Sequence, residues 1–437
     1  MANKRATQET YRKTALKNGL TLIAVPSKAA TAAVVFGTEG GSIFDFSGKE
    51  GLAHLLEHMA FKGTQKYKDA HAVVEASEGI GGEVNAGTGK ETMSFYIETP
   101  SEKLKEGLEW VSEVSLYPSF PKEPFERERD VVIEEARMFI DKHDRYSMFK
   151  SAHGLFGETV WGRPIEGYEK TINAIRHNDL RSFHDRNFSP ANSVLVVAGN
   201  TKTEKVQEWA EKYFGNWSST SSHNEQTLGK ETDKLKPILH KPKEPFAEAR
   251  KVKQVYLSIA FPGPKETDAH YYDYLIANAV LGMGMGSKLF KEVREKSGLC
   301  YYIFSSMAAY KRNGYSMIIS GLNVDQLKKA SIAIKHEIDL LIDGKITKDE
   351  LMRAKLLTKT SVLSGFNDPL DTAANVADYF LSTGKVATAQ ETASEIDKVT
   401  VKSVTTVSNK LFDLSAASIA IVSPKRELAS ELAVLKV

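Results

Sequence analysis

Short apolar runs alternate with longer segments of helical period along the chain, and the two patterns recur twice in the same order. The first half predicts strands around Leu20–Pro26 and Ala32–Gly37, then an apolar helix around Gly51–Phe61. A second helix over Ala70–Ser77, a Gly-rich turn and a strand over Thr92–Glu98 follow. The second half predicts a strand over Val255–Phe261 and a helix over Tyr272–Leu281. After a Gly-Met-Gly-Met-Gly turn come a helix over Ser287–Glu295 and strands over Tyr301–Ser306 and Tyr315–Ser320. Each half then has two helical stretches and closes on an apolar strand, Ser193–Ala198 in one and Ala417–Val422 in the other. Segregated strands and helices predict an α+β fold of two similar halves, each a mainly antiparallel sheet packed by helices on one face. The repeated order argues for an internal duplication, although few residues match between the halves.

Between the halves, Ser218–Arg250 is rich in Ser, Thr and Pro, mixed in charge and poor in large apolar residues. It reads as a linker, residues 218–250, joining domains 1–217 and 251–437. The length of 437 residues is enough for two large domains with ample cores. With 58 Lys and Arg against 56 Asp and Glu, the net charge of +2 excludes a strongly basic nucleic-acid binder. The single cysteine, Cys300, excludes an intrachain disulfide and a cysteine-based metal cluster. The basic N-terminus is not followed by an apolar run of signal-peptide length, and no stretch reaches the roughly 20 apolar residues of a membrane span. The expectation is a cytoplasmic protein with no nucleic-acid or membrane partner.

The chemistry concentrates in His54-Leu55-Leu56-Glu57-His58. At 100° per residue the two imidazoles lie about 40° apart on a helix and Glu57 about 60° to the other side of His54. All three share one face of a helix whose other residues are almost all apolar. Burying three ionisable groups is costly unless something pairs them, and a divalent cation would. Two imidazoles suit zinc, and the order His-x-x-Glu-His is the inverted zinc-peptidase motif. Two core histidines satisfied by hydrogen bonds are the alternative. A third ligand is sought in the segment that starts at Pro124, where Glu128 and Glu135 lie seven residues apart on one helix face with Val131, Val132, Met138 and Phe139. Both carboxylates interrupt an apolar stripe, which a purely structural helix would avoid. Glu134, Glu126, Arg127 and Arg129 read as an exposed charged face.

With these two segments the chain resembles the inverted-motif zinc metallopeptidases: pitrilysin, insulin-degrading enzyme and mitochondrial processing peptidase. In that family a glutamate ligand follows the motif by about 75 residues, and here 135 − 58 − 1 = 76 residues separate His58 from Glu135. The resemblance implies His54, His58 and Glu135 as ligands of one Zn2+ per chain, Glu57 as general base and Glu128 as an auxiliary catalytic carboxylate. Gly-Gly-Glu-Val-Asn-Ala resembles the family's substrate strand, implying that an extended peptide pairs along Asn85 and Ala86. Arg-Glu-Lys-Ser-Gly-Leu-Cys-Tyr resembles a second-half segment, implying that Arg294 contacts substrate and that Tyr301 contacts it and supports the tetrahedral intermediate. Without that register, Asn85 reads as a turn former, Arg294 as a surface ion pair and Tyr301 as a half-buried aromatic. The second half has only His240, His270 and His336 and no second motif. The size resembles half-length members that pair two chains into one chamber, implying a homodimer or a heterodimer with a sister subunit. The expected activity is endopeptidase action on unfolded peptides. The alternative is a non-catalytic or partner-dependent subunit of the same fold.

Overall fold

Two mixed sheets organise the chain in the computed structural model, which describes residues 11–218, 239–240 and 244–435. The first holds β1 (Arg12–Ala15), β2 (Thr21–Pro26), β3 (Thr31–Thr38), β4 (Glu83–Thr88), β5 (Met93–Pro100) and β6 (Ser193–Gly199), in the order β1-β2-β6-β3-β5-β4. The second holds β7 (Phe246–Ala249), β8 (Val255–Pro262), β9 (Cys300–Ala309), β10 (Gly314–Leu322) and β11 (Ser418–Ser423), in the order β7-β11-β8-β10-β9. Apart from β1 the two orders are the same. In each sheet one pair is parallel, β2 with β6 and β7 with β11, and the remaining pairs are antiparallel. The duplication expected from the element order is therefore present in the topology, and the α+β class with two similar halves holds.

The helices used below are α1 (Leu52–Ala60), α2 (Ala70–Glu78), α3 (Leu104–Leu116), α4 (Phe125–Asp141) and α5 (His143–Phe156). Further helices at Tyr271–Gly282 and Pro369–Thr383 belong to the second half of the sequence. Their distribution departs from the expectation that each sheet is covered on one face. The Pro369–Thr383 helix lies on β3 and β6, packing Ala373, Val376, Ala377 and Leu381 against Ile23, Ala33, Val35, Val194, Val196 and Ala198. Reciprocally, α5 lies on β8 and β11, with Ser147 Oγ 2.9 Å from Ser258 Oγ in a buried contact. The physical reason is visible in β6, whose seven residues are all buried: a strand without apolar–polar alternation needs cover on both faces.

The compact units follow this exchange. One draws on the chain up to Ala136, on Pro164–Thr232 and on Ser364–Thr388; the other draws on Arg137–Arg163, Asp233–Leu363 and the chain from Ala389 onward. Each unit thus contains a helix from the other half of the sequence. The expected linker also changes at its end: Phe246–Ala249 is strand β7, pairing in parallel with β11 from Phe246 opposite Ala420 to Ala249 opposite Ser423. Residues 219–238 and 241–243 of that linker lie outside the described residues. The helix expected at Ser287–Glu295 is a π-helix over Phe290–Lys296. Among the described residues no helix is long and apolar enough to cross a membrane.

Candidate metal centre

Helix α1 is held at its start by unusual means. Gly51 precedes it at φ 99°, in the left-handed region that favours glycine, and a Cβ there would meet Glu166 O at 2.6 Å. The first free backbone N–H groups are capped from a distance: the Asp45 carboxylate accepts from Gly51 N and Ala53 N, both at 2.8 Å. Burial pushes Asp45 up to about 7, with the two backbone donors pulling against it. Leu52, Ala53, Leu55, Leu56, Met59 and Ala60 are fully buried, as the apolar pattern predicts. His54, Glu57 and His58 remain on the one partly open face.

Helix α4 supplies the carboxylates. Phe125, Glu128, Val132, Ile133 and Ala136 form its buried side, while Val131 and Met138 are 40% and 53% exposed. The apolar stripe therefore runs through Val132 and Ala136, and the assignment of Val131 and Met138 to it is corrected. Glu128 nonetheless interrupts the buried side, at 7% exposure, and Glu134 is exposed as expected. Arg129 pairs with Glu126 and covers the Phe125 ring at 5.7 Å.

These two helices bring four of the predicted site residues into contact range. Glu135 Oε2 lies 3.5 Å from both His54 Nε2 and His58 Nε2. The ligand atoms of His54, His58 and Glu135 all lie within 4.8 Å of one another, the one such convergence among the described residues. Two ligands about 2.0–2.1 Å from a tetrahedral zinc stand about 3.3 Å apart, close to the two 3.5 Å separations from Glu135, and two imidazoles with a carboxylate are donors that suit zinc. A satisfied pair of core histidines does not describe this site: His54 Nδ1 is buried without a hydrogen-bond partner, and 3.5 Å is outside good hydrogen-bond length. Burial, with His58 adding to it, pushes His54 down to about 4. His54 is thus neutral at pH 7, the form that binds a metal.

Behind the ligands, Glu128 Oε2 faces His58 Nδ1 at 3.6 Å, and Lys62 Nζ contacts Glu128 Oε1 at 2.8 Å. Lys62 offsets the charge of a carboxylate that is nearly out of solvent. Glu57 accepts from Thr88 Oγ1 at 2.5 Å. Burial raises Glu57 above the usual carboxylate range, partly countered by the Thr88 hydroxyl and His58. Lys62, Thr88 and Asp45 are the residues that sequence reasoning missed. Lys62 stands four residues after His58, a helical-neighbour spacing that could have signalled it. Thr88 and Asp45 carry no such local signal.

Asn85 and Ala86 sit on β4, the edge strand of the first sheet, so the Gly-rich turn read from composition is in part a strand. Asn85 Oδ1 accepts from Ala86 N at 2.9 Å. Arg294 and Tyr301 belong to the second unit. Arg294 is exposed on the π-helix, with its guanidinium 4.9 Å from the Phe290 ring centroid. Tyr301 is 58% exposed on β9, the edge strand of the second sheet.

Comparison with known proteins places the chain in a family. The family model described as Insulinase (Peptidase family M16) matches residues 21–160, which contain all of His54, Glu57, His58, Glu128 and Glu135. The model described as Peptidase M16 inactive domain matches residues 174–357. The uncharacterized zinc protease YmxG of Bacillus subtilis (strain 168) is 30% identical over 380 residues, 87% of this chain and 90% of that protein. An uncharacterized zinc protease of Rickettsia bellii (strain RML369-C) is 26% identical over 420 residues, 95% of this chain and 98% of that protein. Among solved structures, a protease from Helicobacter pylori has a TM-score of 0.85 at 23% identity, covering 95% of this chain and 99% of that one. The peptidase M16 inactive domain from Pseudomonas fluorescens has a TM-score of 0.84 at 19% identity, covering 95% and 98%. These two likenesses establish the shared fold.

Proposed function

The chain belongs to the insulinase family, peptidase family M16, several of whose members carry the name zinc protease, and from that premise we propose that it is a zinc-dependent endopeptidase acting on unfolded peptides. The observation that carries the reading is the convergence of His54 Nε2, His58 Nε2 and Glu135 Oε2 beside a half-buried Glu57. In this reading those three residues hold one zinc per chain. When bound, the ion would polarise a peptide carbonyl and lower the pKa of a water towards about 7.

The chain's own residues do the rest. Glu57 takes a proton from the attacking water and delivers it to the leaving amine, a role suited to a carboxyl raised towards the working pH by burial. Glu128, anchored by Lys62, keeps the His58 ring in one orientation. An extended peptide adds to the edge strand β4 along Asn85 and Ala86, with main-chain pairing supplying affinity. The Asn85 side chain, which satisfies the Ala86 N–H in the free protein, gives way to the peptide carbonyl. Arg294 and Tyr301 act in this reading at the zinc site of the facing chain, Arg294 contacting substrate and Tyr301 donating to the developing oxyanion. We place this chemistry in the chamber of a homodimer, with a sister subunit as the alternative partner, in the cytoplasm.

The test is hydrolysis of a mixed library of unfolded peptides by the purified, zinc-loaded full chain, with Glu57→Gln alongside. The variant is expected to retain zinc and to lose turnover by about 10²–10⁴-fold. Unchanged hydrolysis by Glu57→Gln removes it as the base. A wild-type chain that binds zinc and cleaves no peptide supports the second reading, a subunit dependent on a sister chain, which the match of residues 174–357 to an inactive domain favours.

A further inference from the structure

We propose that Thr88 is a positioning residue for Glu57, and that its hydroxyl couples the orientation of the base to the strand on which a peptide adds. The inference rests on the reading of Glu57 as general base. Thr88 Oγ1 donates to Glu57 Oε2 at 2.5 Å. The terminal torsion of a glutamate is broad and roughly two-fold, so a lone carboxylate samples many orientations. A hydrogen bond to an ionised acceptor is short and strong, and this one holds Oε2, which assigns Oε1 to the proton to be moved.

Thr88 can do this because its own position is fixed by backbone. It is the last residue of β4 and pairs with Met93 across the hairpin, which Gly89 N closes onto Thr92 O at 2.8 Å. The hairpin tip is then stitched to the segment ahead of α1. Gly41 N donates to Glu91 O at 3.1 Å, Ser42 N to Gly89 O at 3.0 Å and Ile43 N to Lys90 O at 2.9 Å. A Cβ on Gly41 would meet Lys90 O at 2.5 Å, so only glycine allows this approach. Two residues after Ile43, Asp45 caps the first turn of α1 through Gly51 and Ala53. Residues 41–45 therefore hold the hairpin tip and the helix of the base as one bracket. Thr88 lies three residues along β4 from Asn85, so peptide pairing and base orientation share one short element.

The experiment compares Thr88→Val, which keeps the shape and removes the donor, with Thr88→Ser, which keeps the donor. Steady-state hydrolysis of one unfolded reporter peptide is measured on the zinc-loaded full chain, together with zinc content. Thr88→Val is expected to lose kcat by about 10- to 100-fold, the usual worth of a hydrogen bond to a charged group, with KM within about twofold and zinc unchanged. Thr88→Ser is expected to restore kcat to within about threefold of wild type. A purely structural role would move KM or zinc content together with kcat, and Ser would not rescue; that pattern overturns the proposal, as does wild-type kcat in Thr88→Val. If Thr88→Val fails to fold, Thr88→Ala with the same measurements carries the same expectations. Glu57→Gln in parallel separates the two failures. If it is inactive while Thr88→Val is fully active, only the present inference falls. If it is active, the reading of the base falls and takes this inference with it.

Discussion

Helix α1 and the Tyr271–Gly282 helix occupy the same place in two sheets of the same topology, each between a central strand and the edge hairpin, yet they solve burial in opposite ways. The second-unit helix hides Ile276, Ala277, Ala279, Val280 and Leu281, and its one buried polar side chain is Asn278. Ser316 Oγ donates to Asn278 Oδ1 at 3.0 Å, and Ser305 Oγ donates to the Asn278 carbonyl at 2.8 Å. Both oxygens of Asn278 thus meet neutral hydroxyl donors, and Gly282 lets the helix approach β9 so closely that a Cβ would meet Ser305 N at 2.3 Å. Helix α1 instead carries two imidazoles that face a further ionisable group, Glu135, beside a carboxylate held by a hydroxyl, and it leaves His54 Nδ1 without a hydrogen-bond partner. The same scaffold thus serves as a closed core in one unit and as an unsatisfied cluster in the other. Topology alone does not confer the chemistry; the residues placed on it do.

The comparison is broken most sharply by removing a ligand. His58→Phe is expected to abolish stoichiometric zinc binding and with it all turnover, as read by metal analysis of the purified chain. Asn278→Ala, at the matching helix, should leave metal content at the wild-type value. Metal retained in His58→Phe would mean that the cluster is not the binding site.

A second prediction concerns the exchanged helices. Leu381→Ala lies some 245 residues after Glu135, but its side chain belongs to the core of the first sheet. It is expected to destabilise the protein by about 2–5 kcal/mol, the range for a buried leucine truncation. Hydrogen exchange should show the loss of protection in β3 and β6. Protection lost only in the second sheet would contradict the packing.

The smallest expected effect is electrostatic and belongs to α1 alone. The carboxyl of Asp45 is raised from an ordinary 3.8 to about 7 by burial, so the folded chain binds a proton that the unfolded chain releases. Its contribution to stability is fully present below about 3.8 and is lost as pH rises through about 7. The zinc-free protein should therefore resist denaturant better at pH 5 than at pH 8, and Asp45→Asn, which cannot titrate, should flatten that slope. An unchanged slope in the variant would assign the pH dependence to other groups.

Much of this was legible in local pattern. The strands β2, β3, β6, β8 and β11 and the buried helix α1 announce themselves because period and apolarity are properties of neighbouring residues. The spacing of His54, Glu57 and His58 places three groups on one helical face for the same reason. Glu128 and Glu135 were legible as interruptions of an apolar helix, although Val131 and Met138 proved exposed and the stripe turned out to be rotated towards Val132 and Ala136. The π-helical turn at Phe290–Lys296 was not legible, since its residues fit an ordinary helix equally well.

What the sequence by itself determined is the central apolar strands and the main helices, the duplicated order and the candidate ligands, because each depends on residues close along the chain; the short strands β1 and β7 carry no such local signal. Tertiary structure alone decided which sheet each helix covers. The amphipathic pattern of α5 or of the Pro369–Thr383 helix says that one face is buried, and not against what. It also decided the partners of the site: Thr88 reaches Glu57 from 31 residues away, and Asp45 caps α1 across eight. Hydrogen bonds and burial act through space, and chain separation carries no record of them until the fold has closed.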